Sequence, residues 1–252
     1  MGLDIYTGTL TRYYTQNWKT ATQQFAEAHG IQFQTVRFQP EQENGQSIEE
    51  IKGIVTEWRD NIISGLKLDP APLWNEDYDT TPYYTNKPDW DALHALMLYA
   101  AAKFSSQEVP ATIEKNFDVS RHSIVEEFLK STEFNLTFFN ENGWWLPIED
   151  RFIFRYTLPN SQENTLATSA LLLAELSSLN ALEWKADSMT IISWSTTEGY
   201  PVEGVFSKED GFKELASHET FETESLAKFA FSILWQAAEF SLEHGAVMLY
   251  DY

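Results

Sequence analysis

Asp91 and His94 stand three residues apart, a spacing that places both on one face of a helix. In such a pair the carboxylate orients the imidazole, and the imidazole can act as a general base or as one ligand of a metal ion. Tyr83, Tyr84, Asp89 and Trp90 lie just upstream and add two phenols, another carboxylate and an indole. A metal would need a third and a fourth ligand, which the sequence does not nominate. No metal, cofactor or catalytic residue is therefore assigned. The same letters also have a plainer reading. Asp89 and Asp91 fall in a first helical turn, where carboxylates complement the helix dipole. A histidine beside an apolar run is commonly a hydrogen-bonded core residue. The segment is thus read as a site for binding a ligand or a partner.

A second cluster, Arg12, Tyr13, Tyr14 and Trp18, combines arginine with aromatics, as binding hot spots do and as core edges also do. Trp74 belongs with it as a candidate contact residue. It lies in the longest irregular stretch, Lys67 to Pro88, which holds Pro70, Pro72 and Pro82 and mixes Tyr78 with Glu76, Asp77 and Asp79. Irregular stretches this long are commonly functional or mobile. His29, His122, His218 and His244 show no metal spacing. Glu239 and Glu243 read as the solvated edge of a helix. The chain has no cysteine, which excludes disulfides, zinc–thiolate sites and thiol nucleophiles. It carries no phosphate-binding glycine loop, no G-x-S-x-G and no H-E-x-x-H.

The elements that must hold these residues begin at the far end of the chain. Glu224 to His244 is apolar nearly all round and reads as a buried helix. Gly245 suits its left-handed stop, and Ala246 to Tyr250 follows as a buried terminal strand. Leu3 to Tyr6 is β-like, so the first and last strands are expected to be neighbours in one sheet packed on that helix. Thr15 or Asn17 is expected to cap a helix carrying Trp18, Phe25 and Ala28, stopped by Gly30, and Ile31 to Phe38 follows as a strand. Ser47 and Glu50 form a capping box ahead of an amphipathic helix with Ile51, Ile54, Val55, Trp58, Ile62 and Leu66 on its stripe. Pro88 opens a helix over Asp89 to Phe104. Phe134–Phe139 and Trp144–Ile148 are expected to form a hairpin around Asn140–Gly143. Phe152 to Leu158 alternates as a strand. Thr165 caps an apolar helix through Leu182. Met189–Trp194 and Val202–Phe206 pair as strands, and Lys208 to Glu222 is a loop with a short helix. Strands and helices mix without a βαβ rhythm. The expectation is one α+β domain over residues 1–252, with a mixed or antiparallel sheet packed on several helices.

Residues 111–130 resemble a helix-turn-helix, with a turn before Val119-Ser120 and an apolar second helix holding Ile124 and Phe128. Glu114 and Asp118 depart from the motif where alanine and glycine belong. Glu126 and Glu127 would face phosphates with the wrong sign. The charge balance points the same way: 38 acidic against 17 basic residues give −21. That disfavours nucleic acid and anionic membranes and suits a basic protein partner. The opening residues carry no signal-peptide pattern, so a cytoplasmic location is expected.

The opening, MGLDIYTGTLTRYYTQNWKT, resembles that of a group of uncharacterised bacterial proteins with no assigned activity, so the resemblance implies no catalytic residues. Three functional readings follow. The first is an acidic bacterial protein that binds a basic partner, as an immunity protein or inhibitor binds a toxin or nuclease. The second is an enzyme or small-molecule binder using residues 83–94. The third is a DNA-binding regulator using residues 111–130. Oligomeric state is left open.

Overall fold

A computed structural model describes residues 2–32, 46–130, 136–140, 143–207, 211–214 and 216–252. In chain order its elements are β1 (Asp4–Gly8), α1 (Leu10–Tyr14), α2 (Ala21–His29), α3 (Ile48–Gly65), β2 (Tyr84–Asn86), α4 (Asp89–Phe104), β3 (Thr112–Glu114), α5 (Ser123–Lys130), β4 (Trp144–Leu146), β5 (Ile153–Thr157), β6 (Glu163–Thr168), α6 (Ser169–Leu182), α7 (Ser188–Thr197), β7 (Gly204–Ser207), β8 (Gly211–Glu214), β9 (Thr220–Glu222), α8 (Thr223–His244) and β10 (Val247–Asp251). The fold is α+β. Its main sheet has six strands in the order β2-β1-β10-β4-β6-β5. Neighbours run antiparallel except β4 and β6, which are parallel. The first and last strands pair in register from Asp4 opposite Asp251 to Gly8 opposite Val247.

Period-2 alternation sends the two faces of this sheet into two separate cores. Ile5, Trp145, Met248 and Tyr250 join the core built with α4, α5, α6, α7 and α8. Tyr6, Trp144, Leu146, Val247 and Leu249 join the core built with Ile51, Val55, Trp58 and Ile62 of α3. Covered on both faces, β10 needs apolar residues at every position, so its sequence is a continuous run and not an alternating one. Helix α8 packs against α4, α6 and α7 and against β1 and β10. Leu226, Phe231, Ile233 and Leu234 are fully buried around its circumference.

The caps explain several boundaries. Ser47 accepts from the Glu50 amide while the Glu50 carboxylate accepts from the Ser47 amide, at 3.2 and 2.7 Å. Thr20, and neither Thr15 nor Asn17, caps α2, so Trp18 lies outside that helix. Gly30 and Gly245 end α2 and α8 in the left-handed region at φ 66° and 64°.

Five further sequence expectations are corrected. Residues 112–114 form a strand paired to β9, so the supposed helix-turn-helix lacks its first helix. Residues 189–194 lie in helix α7, because Asp187 caps it through the Thr190 amide and Ile191 and Trp194 bury one helical stripe. Thr165 sits within β6, and Thr168 caps α6. Trp144–Leu146 is an interior strand between β10 and β6, while Thr137–Phe139 is a 3-10 turn, so these two segments do not form a hairpin. Residues 211–214 and 220–222 are strands. The expected strand over Ile31–Phe38 and the hairpin tip at Glu141–Asn142 fall largely outside the described residues. Among the described residues no helix is long and apolar enough to cross a membrane.

Candidate functional site

The first turns of α4 form one wall of a cleft of about 660 Å³. Pro88 precedes them and Asp89 adopts φ 58°, a left-handed conformation uncommon for a residue with a side chain. Two hydrogen bonds with Leu3, just before β1, hold it there. Leu3 N–H donates to Asp89 Oδ1 at 3.3 Å, and Asp89 N–H donates to the Leu3 carbonyl at 3.3 Å. Lys87 Nζ adds a partner 3.5 Å from the same carboxylate. Asp89 is therefore fixed by the fold, and its neighbours Trp90, Asp91 and His94 are presented to the cleft.

His94 is also held. Its Nδ1 lies 2.7 Å from the Phe117 carbonyl. A carbonyl only accepts, so Nδ1 carries the proton and the neutral ring keeps its lone pair on Nε2. The Trp90 ring lies 5.7 Å from the imidazole and 5.2 Å from the Tyr252 ring. Asp91 makes no hydrogen bond or ion pair among the described residues. The sequence pairing of Asp91 with His94 thus survives as a shared wall and not as a bonded dyad.

The opposite walls come from distant parts of the chain. Lys115, Asn116 and Phe117 follow β3; Tyr200, Pro201 and Glu203 lie between α7 and β7, which Gly204 opens; Phe221 belongs to β9. Tyr200 locks its loop to α4. Its hydroxyl accepts from the Ala92 amide and donates to the Pro88 carbonyl, both at 3.1 Å. Burial pushes that phenol well above its ordinary pKa, with the carboxylates of Asp89 and Asp91 adding to the rise. Lys115 Nζ lies 3.7 Å from Glu203, and both are exposed enough for the pair to contribute little stability. Asp118 is held below the usual carboxylate range, first by the Ser120 hydroxyl and less by the Ser120 amide and Arg121. Aromatic faces with an excess of carboxylates over ammonium groups make an environment for a cation.

The remaining candidates lie elsewhere. Tyr84 turns towards the α8 core, its ring 6.0 Å from Phe240. Tyr83 turns to the other face of the sheet, towards Tyr6. Tyr83 just precedes β2 and Tyr84 opens it; the two point to opposite faces of the sheet, and neither lines the cleft. Arg12 stacks on Tyr83 at 5.0 Å and donates to the carbonyls of Tyr78 and Thr81, the latter at 3.0 Å. Tyr13 donates to Asp251 at 2.8 Å. Trp74 is buried and donates to Glu76 at 3.2 Å. Glu76 accepts from Thr11 N–H at 3.0 Å and from the Thr11 hydroxyl at 3.1 Å. Burial raises its pKa and these donors oppose the rise. Arg12, Tyr13 and Trp74 thus form a structural cluster that ties the irregular stretch to α1.

Among the described residues no group of three or more His, Asp or Glu side chains is arranged to hold a metal ion. No protein-family model, curated protein or solved structure matches the chain.

Proposed function

We propose that this chain is a binding protein whose α4 cleft receives an organic cation, an amine or guanidinium carried on an apolar body. The observation that carries this reading is Asp91, a carboxylate with no partner among the described residues, set beside Trp90, Phe117, Tyr200 and Phe221 in a cleft of about 660 Å³. Asp89 and Glu203 add negative charge but are each already opposite an ammonium, Lys87 and Lys115, which leaves Asp91 as the unpaired carboxylate of the lining. Such a cleft rewards a charged head that pairs with Asp91 and an apolar stem that stacks on the rings. A panel of aryl and alkyl amines, guanidines and carboxylates tested by thermal shift would check it. Amines and guanidines are expected to raise the Tm in proportion to their occupancy, and carboxylates to leave it unchanged. Stabilisation by carboxylates alone would contradict the reading.

The net charge of −21 favours a second form of the same chemistry. Here the cation is a lysine or arginine side chain of a basic protein partner, as an immunity-like or inhibitory role would require. Acidic surface would speed association, and the cleft would anchor one side chain. A Lys- or Arg-bearing peptide from such a partner should compete with the small amine for the cleft. Independent binding of the two would separate the readings.

A further inference from the structure

Asp91 is not the sole open acceptor on the α4 wall of the cleft. His94 shares that wall, one helical turn further on and on the same face of α4. Its Nδ1 proton is committed to the Phe117 carbonyl at 2.7 Å. The two nitrogens of an imidazole diverge from the ring, so Nε2 points away from that carbonyl. Nε2 makes no hydrogen bond among the described residues. In the neutral ring it can only accept, as the Asp91 carboxylate can only accept. The ammonium of the lining, Lys115, is drawn to Glu203 at 3.7 Å. The wall therefore offers two neighbouring acceptors, with the Trp90 ring 5.7 Å from the imidazole.

Two acceptors beside an aromatic face make a demand on the cation. An ammonium is a compact point charge whose donors radiate from one atom, and it has no flat face to lay on a ring. A guanidinium is planar, spreads five N–H donors over its edges, accepts nothing and stacks on aromatic rings. One edge can pair with both oxygens of Asp91 while an N–H of the next edge donates to His94 Nε2. We infer that the α4 cleft prefers a guanidinium to an ammonium, with His94 as the acceptor that sets the preference. This rests on the cleft being a cation site, and it narrows the ligand to a guanidine carried on an apolar body.

Protonation gives the preference a signature. An imidazolium carries N–H at both nitrogens, so Nε2 turns from acceptor to donor, and a guanidinium has nothing to accept with. The charged and titratable groups around His94 are Asp89 and Asp91 on α4, Lys115 and Asp118 after β3, and Tyr200 and Glu203 before β7. Histidine is the residue type whose ordinary titration lies between about pH 5 and 8. The guanidinium preference should therefore shrink as pH falls through that range. His122 adjoins Phe117 as well, its ring 5.9 Å away, but it does not line the cleft and serves as a control.

Calorimetric titration of the full chain with phenethylguanidinium and phenethylammonium tests this. At about pH 8 the wild type should bind the guanidinium about five- to tenfold more tightly, the scale of one added hydrogen bond, and at about pH 5 the ratio should approach one. His94→Phe keeps a ring and removes the acceptor, so the ratio should be near one at both pH values with ammonium binding retained. His94→Gln keeps a donor for the Phe117 carbonyl and an acceptor for the ligand, so the preference should persist at both pH values. His122→Gln should behave as the wild type. Equal binding of the two cations at about pH 8 would overturn this inference and leave the cation site standing, whereas binding of neither would overturn both. A preference that survives in His94→Phe, or that keeps its pH course in His94→Gln, would also overturn it.

Discussion

Glu175 lies on α6 with 8% of its surface exposed, inside the core and away from the cleft. It accepts from Thr137 N–H at 2.9 Å and from the Thr137 hydroxyl at 2.8 Å. The same hydroxyl accepts from the Trp145 indole at 2.9 Å. Burial pushes the Glu175 carboxyl up to about 8 from an ordinary 4.5, against the lowering effect of its donors. The folded chain therefore holds a proton that the unfolded chain releases between those values, and stability must fall as pH rises across that window. There is no loss below about 4.5; it begins there and is complete near 8, with a slope of at most about 1.4 kcal/mol per pH unit. Asp4, raised to about 6 by burial and by the nearby Asp251 and Asp89, acts in the same direction. Denaturant midpoints measured from pH 5 to 8 should decline, and Glu175→Gln should flatten that decline while keeping an acceptor for the Thr137 donors. An unchanged slope in Glu175→Gln would show that this carboxyl titrates normally. At the cleft, Asp91→Asn should leave stability within about 0.5 kcal/mol of wild type, since Asp91 supports no contact of the fold.

Two helices that end on left-handed glycines allow a controlled comparison at the scale of the element. A side chain in this conformation costs about 1–2 kcal/mol. At Gly30, φ 66°, an added Cβ meets nothing within 4 Å. At Gly245, φ 64°, it would lie 2.8 Å from the Leu73 carbonyl oxygen, which is backbone and cannot swing away. Gly30→Ala should therefore lower the Tm by a few degrees, while Gly245→Ala should cost clearly more, at roughly 2–4 °C per kcal/mol. Equal effects would mean that the α8–β10 turn adjusts freely. These stops, with α3, α4, α8 and the β1–β10 pair, are legible in the sequence because caps and apolar spacing are local signals. Helix α7 is not, since Met189 to Trp194 is rich in β-branched and aromatic residues and turns helical by packing on α8. Nor is β3, whose partner β9 lies far along the chain. The site divides in the same way. Asp89, Trp90, Asp91 and His94 share one helix and can be found by spacing. Lys115, Tyr200, Glu203 and Phe221 reach the cleft only through long-range pairing.

Over the whole molecule, the charge of −21 makes association with a cation sensitive to salt. Binding of a cation at α4 should weaken as ionic strength rises, because the surrounding acidic field is screened. The sheet keeps one hydrophobic core on each face, and the cleft opens beside the one that holds α4 and α8. The cleft is thus carried mainly by α4, whose inner residues from Leu93 to Ala102 are buried, so its acidic wall is preformed. The most direct test of the central claim is calorimetric titration of the wild type and of Asp91→Asn with phenethylammonium and with phenylacetate, which share a similar apolar body and differ in the sign of the head group. The account predicts that the ammonium binds the wild type, that phenylacetate does not, and that Asp91→Asn binds the ammonium at least about tenfold more weakly. Equal affinity for the two ions, no binding of either, or full affinity in Asp91→Asn would contradict it.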